Sequence, residues 1–279
     1  MAVVLITGCS TGFGLLTAVA CAKKGDTVFA SMRDPSKSEA LTSAAASAGQ
    51  SVEVLQLDVT DDASVTRAVQ QVLDTAGRID ALVNNAGVGI QGPVGETGDD
   101  EMHTVFETNF FGPFRLVRAV LPHMRERGSG TIVNVSSLAG VVASPGGGIY
   151  AASKFALEAA TEALHYEVQQ FGVRVALIEP GGFGTSFTDN RIMARRFTEA
   201  SPYFPAYERF HGAMSSLPGR DEAGDPQDVA DAIVGAIHDD DVKLRNLVGN
   251  DAVAIAGLRK RLSDEELAQM VRGMLGVEA

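Results

Sequence analysis

The chain has 279 residues, of which 45% are hydrophobic and 21% are charged, the proportions of an ordinary soluble globular protein. These values exclude a disordered chain, and glycines without a fixed period exclude a collagen-like one. Acidic residues outnumber basic ones by 35 to 23, and this formal net charge of −12 disfavours nucleic acid as a partner because phosphates are also negative.

Cysteine content and apolar runs set expectations for the compartment. Two cysteines, Cys9 and Cys21, are too few for a secreted disulfide framework, so we expect a cytoplasmic location. The first residues lack the positive charge and the length of a signal peptide. No apolar run approaches the roughly 18 residues that a membrane helix needs, so we expect no membrane span.

Short apolar runs alternate with longer amphipathic stretches along most of the chain. The predicted strands, in chain order, are residues 3–6, 27–30, 52–57, 81–83, 131–135, 173–178 and 244–248. The main predicted helices are residues 13–24, 62–76, 101–127, 150–171 and 225–238. Because the apolar runs are continuous rather than alternating, the strands are expected to be buried on both faces of a parallel sheet. The pattern predicts a single α/β domain over residues 1–279, a doubly wound Rossmann-type parallel sheet.

A glycine-rich turn lies between the first strand and the first helix. Gly8, Gly12 and Gly14 are spaced G-x-x-x-G-x-G, which lets backbone amides approach a diphosphate at a helix N-terminus. The same stretch also fits the G-x-S-x-G elbow of a serine hydrolase, with Ser10 as nucleophile. That alternative is disfavoured, because such an elbow follows an upstream strand and only seven residues precede Gly8.

An irregular stretch at residues 182–226 contains four prolines and a cluster of aromatic side chains. It is too apolar for a linker, and loops beyond about 12–15 residues are usually functional or disordered. One interpretation is a mobile lid or substrate-loop insertion. The other is a pair of ordinary surface helices that pack their aromatic side chains into the core.

Tyr150 and Lys154 are four residues apart near the start of an alanine-rich helix, so their side chains share a face. A lysine cation beside a tyrosine stabilises the phenolate and lowers its pKa, which makes proton exchange with an alcohol feasible. Ser137 follows the preceding strand, where its hydroxyl could bond a substrate oxygen. Tyrosine and lysine at this spacing also occur by chance on solvated helices, and a serine at a strand end can be a turn signal.

Taken together, these motifs resemble the short-chain dehydrogenase/reductase family, from about residue 3 to residue 248. The matching residues, in order, are the glycine pattern of residues 7–14, residues 84–87, Ser137, the Tyr-Ala-Ala-Ser-Lys motif of residues 150–154, and Pro180-Gly181. The resemblance implies that Tyr150 is the general acid/base and that Ser137 polarises the carbonyl or alcohol. It also implies that Lys154 lowers the tyrosine pKa and holds the nicotinamide ribose, and that Asn109 supports a proton relay.

The resemblance further implies a nicotinamide dinucleotide cofactor and no metal. Residues expected to contact the cofactor are Gly8, Ser10, Thr11, Gly12, Phe13, Gly14, Arg33, Asp58, Val59, Asn85, Ala86, Gly87, Tyr150, Lys154, Pro180, Gly181, Phe183 and Thr185. Phe183 is bulkier than the valine or isoleucine often found there, so its side chain is alternatively expected to shape the substrate floor. Arg33, after the second strand, favours NADP(H) because an arginine can bind a 2′-phosphate. Asp34 leaves NAD(H) open, because an offset of one residue would place a carboxylate on the ribose 2′-hydroxyl.

The expected activity is therefore that of an NADP(H)-dependent oxidoreductase that interconverts an alcohol and a ketone or aldehyde. The sequence is similar to the branch that acts on steroids, retinoids and other lipophilic alcohols, which includes 17-beta-hydroxysteroid and retinol dehydrogenases. The resemblance also implies a homodimer or homotetramer that pairs helices 101–127 and 150–171 across subunits. The alternative from another class is a catalytically silent cofactor-sensing protein, against which the intact set of Ser137, Tyr150, Lys154 and Asn109 argues.

Overall fold

The computed structural model describes residues 1–185, 187, 190–215 and 224–277. The strands of its main sheet are β1 (Val3–Ile6), β2 (Thr27–Met32), β3 (Glu53–Gln56), β4 (Ala81–Asn84), β6 (Gly130–Val135), β7 (Val173–Pro180) and β9 (Arg245–Val248). A separate parallel ladder joins β5 (Ile90–Gln91) to β8 (Ile192–Met193). The main sheet has the order β3-β2-β1-β4-β6-β7-β9, and every pairing in it is parallel.

Helices cover both faces of this sheet. They are α1 (Gly12–Lys23), α2 (Glu39–Ser47), α3 (Asp62–Ala76), α4 (Asp99–Phe106), α5 (Gly112–Arg127), α6 (Gly148–Val168), α7 (Phe204–Ser215), α8 (Pro226–His238), α9 (Asn250–Arg261) and α10 (Asp264–Leu275). One apolar core joins the sheet to α1, α2 and α8, and the other joins it to α3, α5 and α6. The predicted doubly wound α/β fold in a single domain is confirmed.

Strand β1 shows why the sheet lies between two cores. Its side chains alternate, with Val4 and Ile6 in the core beneath α1 and α8, and Val3 and Leu5 in the core beneath α3 and α5. Ile6 and Leu5 are fully buried, and each such side chain contributes roughly 1.5–3 kcal/mol to folding. This two-sided burial accounts for the continuous apolar runs of the sequence.

The structure divides the helix predicted at residues 101–127. Helix α4 ends at Phe106, a π-helical turn spans Glu107–Phe111, and α5 begins at Gly112. Amphipathic periodicity continues through such a turn, so the sequence pattern did not reveal it. A π-turn inside a helix is a frequent mark of functional sites, and this one carries Asn109.

Candidate active site

Many of the residues predicted to form the site directly follow strands of the main sheet. The glycine loop follows β1, Arg33 follows β2, Asp58 follows β3, and Ser137 follows β6. Parallel strands end at one edge, so these loops share it. Chain connections diverge there between β1 and β4, because β1 leads outward to β2 and β3 whereas β4 leads to β6 and β7. Such a switch point is where open α/β sheets form their binding crevices.

Close backbone approach explains two of the glycines in the loop. Gly8 has a φ of +73°, a conformation that favours glycine. A Cβ atom at Gly14 would lie 2.4 Å from the carbonyl oxygen of Gly8, so no other residue fits without a shift. The Asn85 side chain holds the loop from β4 by donating to the carbonyl oxygens of Thr7 at 2.8 Å and Gly8 at 3.1 Å.

Thr7 has a structural role here that the sequence analysis did not assign. Its buried hydroxyl accepts hydrogen bonds from the backbone N–H groups of Asn85 and Ala86, both at 3.0 Å. The loops after β1 and β4 are therefore tied together by side chains from both. Thr7 is the first residue of the matched glycine pattern, so its position marked it as a candidate. The contacts predicted for that pattern begin only at Gly8.

Helix α1 presents an uncapped N-terminus to this crevice. Thr11 is the N-cap residue, and among the described residues no side chain accepts a hydrogen bond from the first turn, which also lacks acidic residues. Free N–H groups and the positive end of the helix dipole suit a diphosphate. The donor set and the cradle formed by Gly8 and Gly14 therefore fit a dinucleotide. Ser10 and Phe13 are partly buried beside this turn.

The charged side chains after β2 and β3 differ in whether they are hydrogen-bonded within their own loops. Arg33 is exposed, whereas the Asp34 carboxylate accepts from the backbone N–H of Ser36 at 3.1 Å and from its hydroxyl at 2.7 Å. The side-chain hydrogen bond from Ser36 holds the pKa of Asp34 below its usual value.

The Asp58 carboxylate, after β3, accepts from the N–H and hydroxyl of Thr60, at 2.9 and 2.7 Å. Val59 is buried against Gly112, where a Cβ atom would lie 2.9 Å from its Cγ2.

Ser137, Tyr150 and Lys154 converge where β6 meets α6. Ser137 caps a short 3-10 turn, Leu138–Gly140, and its Oγ accepts from the N–H of Ala139 at 3.1 Å. The Lys154 Nζ donates to the carbonyl oxygen of Val135 at 2.8 Å and lies 5.9 Å from the centre of the Tyr150 ring. The lysine is only 4% exposed, so its ammonium group is held inside the fold.

Burial moves the pKa values of both titratable groups. It raises the pKa of Tyr150 to about 12, an effect opposed by a hydrogen bond with Ser137 and by the positive charge of Arg191. It lowers the pKa of Lys154 to about 8, opposed by the negative charge of Glu158. Both shifts have the same origin, because the interior disfavours the charged form of each group.

Asn109 reaches the site from the π-helical turn and is fully buried. Its Oδ1 accepts from the N–H of Val88 at 2.8 Å, while its Nδ2 donates to the carbonyl oxygen of Val88 at 2.9 Å and to Ser153 Oγ at 3.1 Å. A Cβ atom at Gly87 would lie 3.3 Å from Asn109 Oδ1 and 3.8 Å from Lys154 Nζ. Ser153, inside the matched Tyr-Ala-Ala-Ser-Lys motif, was not assigned this contact from the sequence.

The segment after β7 is held by a residue far along the chain. The Asp251 carboxylate, on α9, accepts from the N–H of Gly182 at 2.7 Å, and a Cβ atom at Gly181 would lie 2.0 Å from it. Sequence reasoning missed Asp251, because nothing in its local pattern marks a partner 69 residues away. Phe183 lies in the core with its ring edge-on to Phe13 at 5.6 Å between centroids, which differs from the alternative placement in a substrate floor.

Residues 182–226, in their described part, contain strand β8 and helix α7 and lie over the mouth of the crevice. The Phe187 ring centroid is 5.7 Å from that of Tyr150, and Thr185 approaches Gly12. Arg191 Nη1 donates to Gln91 Oε1 at 3.0 Å. Residues 186, 188, 189 and 216–223 of this predicted insertion lie outside the described residues. No helix in the described part of the chain has the length and apolarity to cross a membrane.

This fold and edge define a dinucleotide-binding α/β protein, and comparison with known proteins identifies the family. The sequence model of the short chain dehydrogenase family matches residues 2–195, and the chain belongs to this family. Human retinol dehydrogenase 8 is 41% identical over 251 residues, which are 84% of this chain and 77% of that protein. Human 17-beta-hydroxysteroid dehydrogenase type 1 is 36% identical over 98% of this chain and 84% of its own length. A 3-ketodihydrosphingosine reductase of Bacteroides thetaiotaomicron is 40% identical over 74% of this chain and 73% of its own length.

Solved structures share the architecture. A short-chain dehydrogenase from Streptomyces avermitilis superposes with a TM-score of 0.81 at 36% identity, covering 100% of this chain and 99% of that one. A Burkholderia phymatum enzyme in complex with NAD has a TM-score of 0.79 at 28% identity, over 96% of this chain and 95% of its own. A metagenomic oxidoreductase in complex with NADP has a TM-score of 0.69 at 28% identity, over 88% of this chain and 96% of its own. Family membership favours the dinucleotide interpretation of the glycine loop over a hydrolase nucleophile at Ser10.

Proposed function

We propose that this enzyme uses NADP(H) to interconvert a lipophilic alcohol and the corresponding ketone or aldehyde. The observation that carries the proposal is the convergence of Ser137, Tyr150 and Lys154 beside the uncapped N-terminus of α1. A bound nicotinamide cofactor would supply or accept the hydride. The chain's own residues would then handle only the proton and the orientation of the substrate oxygen.

Tyr150 exchanges the proton with the substrate oxygen through its Oη. With a pKa raised to about 12 by burial, the phenol is protonated near neutral pH, which suits donation to a carbonyl. Oxidation of an alcohol needs the phenolate, and the Lys154 ammonium group stabilises that form. Ser137 donates to the same substrate oxygen and fixes its position. Asn109 hydrogen-bonds to the backbone of Val88 and to the Ser153 side chain. It therefore links α6, which carries Tyr150, to the loop after β4.

Replacement of Tyr150 by phenylalanine tests this assignment. Loss of a general acid/base is expected to lower kcat by about 10²–10⁴-fold, while the dissociation constant for NADPH stays near that of the wild type. Steady-state kinetics on a panel of steroid, retinoid and long-chain alcohols and ketones, with fluorescence titration of NADPH, gives both values. A Tyr150→Phe enzyme with near-normal kcat would overturn the mechanism. Binding of NADPH by the wild type without turnover on the whole panel would favour the sensing protein.

The preference for NADP(H) is supported by the different environments of Arg33 and Asp34. Arg33 is exposed at the end of β2, where a 2′-phosphate would lie, and the carboxylate of Asp34 is turned toward Ser36. A family member in complex with NADP and another in complex with NAD show that the fold accommodates either.

Arg33→Ala is expected to reduce kcat/KM for NADPH by about 10–100-fold, because a hydrogen-bonded charge contributes about 1.5–3 kcal/mol. The value for NADH is expected to change little. Lys37→Ala, which removes a cation from the adjacent 3-10 turn, is the matched control for a general charge effect. Equal losses for NADPH and NADH, or a loss with Lys37→Ala as large as with Arg33→Ala, would contradict a 2′-phosphate contact.

A lipophilic substrate is supported by the ring of Phe187 beside Tyr150 and by the other rings of residues 182–226, such as the Tyr207–Phe197 pair. Relatives named for retinol, a hydroxysteroid and a ketosphingoid base point to the same chemistry. A homodimer or homotetramer is supported by exposed aromatic side chains on the outer helices, Phe111 and Phe155. A cytoplasmic location is supported by Cys9 and Cys21, both buried and free of disulfides.

A further inference from the structure

Two carboxylates are buried together directly behind the catalytic helix. Glu158, on α6, and Glu179, in β7, are 5% and 2% exposed. Arg245, in β9, is placed between them, with its Nε 3.1 Å from Glu158 Oε2 and 3.6 Å from Glu179 Oε1. Its Nη2 bonds instead to the more exposed Glu162 at 2.6 Å. One guanidinium therefore faces three carboxyl groups, two of which are almost completely buried.

Repulsion and burial favour a proton in this group of side chains. Two ionised carboxylates that share one guanidinium in the interior repel each other, and burial penalises each charge further, so one of the two is protonated. Burial followed by the charge of Glu158 raises the pKa of Glu179 to about 7, opposed by the positive charges of Arg245 and then Lys260. Burial also raises the pKa of Glu158, opposed by a hydrogen bond with Ser136 and by the charge of Arg245. Arg245 lies closer to Glu158 than to Glu179. The proton therefore belongs on Glu179, which donates to Glu158.

The remaining oxygens lead to the same conclusion. Among the described residues, Glu158 Oε1 and Glu179 Oε1 are both buried without a hydrogen-bond partner, although Arg245 Nε lies 3.6 Å from Glu179 Oε1. A carboxylate only accepts, but a carboxylic acid also donates. One shared proton thus gives the pair a hydrogen bond that two carboxylates cannot make.

Glu158 also lies against the catalytic strand end. It follows Lys154 by one helical turn, so the two side chains share a face of α6. At Gly140 a Cβ atom would come within 2.7 Å of Ser136 Oγ and 2.9 Å of Glu158 Cγ, so the loop after Ser137 packs directly on this glutamate. Lys154 donates to the carbonyl oxygen of Val135, in the same strand end.

We propose that Glu158 is the ionised member of a proton-sharing pair with Glu179 and is the positioning residue that keeps Lys154 charged. This inference rests on the role of Lys154 in the proposed function. Lys154 is buried, and its ammonium group is stable there only if a negative charge lies nearby. Glu179 in its protonated form removes the second negative charge and fixes the Glu158 carboxylate by donating to it. The charged groups that face the pair are Lys154 and Glu162 from α6, Arg245 from β9 and Lys260 from α9.

Three near-isosteric variants separate the members of the pair. Glu158→Gln removes the negative charge behind Lys154, so the lysine loses its proton at lower pH and Tyr150 ionises at higher pH. The rising limb of kcat/KM for alcohol oxidation is expected to move up by about 0.5–1 pH unit. Glu179→Gln mimics the protonated acid and is expected to leave the limb within about 0.2 pH unit of the wild type. Glu162→Gln, on the exposed side of Arg245, is the matched control and is expected to behave likewise.

Infrared spectroscopy gives a readout that needs no turnover. The wild type at pH 7 is expected to show the C=O stretch of a buried carboxylic acid, which Glu179→Gln abolishes and Glu162→Gln retains. A limb that moves as far in Glu179→Gln as in Glu158→Gln, or absence of the infrared band, overturns the proposal even if Glu158→Gln does not fold. Normal dependence on Tyr150 together with superimposed profiles for Glu158→Gln and Glu162→Gln would defeat this inference alone, whereas activity that survives in Tyr150→Phe defeats the proposed function.

Discussion

Two regions around the crevice are held in different ways. The candidate catalytic platform, formed by Asn109, Ser137, Tyr150 and Lys154 with their bonding partners, is fixed by hydrogen bonds inside the fold, and Asn109 and Lys154 are 0% and 4% exposed. Residues 182–226 instead pack through ring contacts, such as Phe197–Tyr207 at 5.0 Å between centroids, in which Phe197 is buried and Tyr207 is half-buried. The candidate catalytic groups are therefore held by buried hydrogen bonds, whereas the segment after β7 is held by contacts between rings.

The contrast has an energetic consequence. A buried polar group that loses its partner costs about 1–3 kcal/mol, because water cannot replace the bond. A ring at a partly exposed contact contributes about 0.5–1.5 kcal/mol beyond its burial, and neighbours can shift to fill the space. Substitutions in the platform should thus change stability and rate together. Substitutions in residues 182–226 should change substrate preference while the fold remains intact.

Asn109→Ala should give the larger effect. The substitution removes three hydrogen bonds and leaves the N–H and carbonyl groups of Val88 without their partner. The free energy of unfolding is expected to fall by about 2–4 kcal/mol, and kcat to fall with it. Urea denaturation and steady-state kinetics measure the two quantities.

Asn246→Ala is the control for that experiment. Asn246 Nδ2 also donates to two carbonyl oxygens, of Leu177 at 3.1 Å and of Lys243 at 2.9 Å, but it lies on the edge strand β9. A smaller loss of stability with unchanged kcat is expected there. If Asn109→Ala left kcat intact, Asn109 would be a structural residue only, and the coupling of stability and rate in the platform would be disproved.

The platform was predictable from the sequence, and most of what supports it was not. Ser137, Tyr150 and Lys154 lie at a strand end and on one helix face, and both placements follow from local periodicity. Asp251 and Arg245 act across long sequence separations, where only the folded sheet brings partners together. Asn109 was assigned from the family motif, but the π-helical turn that aims it leaves no mark on amphipathic spacing.

Residues 182–226 were harder for a related reason. Their prolines and aromatic side chains indicated an irregular segment near the substrate, and two arrangements remained open. The described part contains a helix, α7, and a short parallel strand that pairs with β5, and it buries Phe197 and Phe210 as the second arrangement expects. A two-residue strand depends on its distant partner, which no local pattern encodes.

Tyr207→Leu tests the other side of the comparison and should give the smaller change in stability. Tyr207 packs on His211 at 4.2 Å between ring centroids and on the loop before α6, where a Cβ atom at Gly146 would lie 2.7 Å from its ring. Leucine keeps apolar bulk, so the free energy of unfolding is expected to change by less than about 1 kcal/mol. The ratio of kcat/KM values for a bulky and a small alcohol is expected to change by about 3–10-fold, because the Tyr207 ring borders the crevice but takes no part in the reaction.

Tyr166→Leu is the control for removal of a tyrosine, since Tyr166 is 63% exposed on the outer face of α6. The substitution should leave the free energy of unfolding and the kcat/KM ratio unchanged. Selectivity is measured with paired substrates at saturating cofactor, and stability by urea denaturation. A loss of stability with Tyr207→Leu as large as with Asn109→Ala would mean that residues 182–226 belong to the core. Unchanged selectivity would remove α7 from the substrate crevice. A change of selectivity at constant stability would mean that substrate preference can vary in this segment while Asn109, Ser137 and Lys154 hold the chemistry fixed.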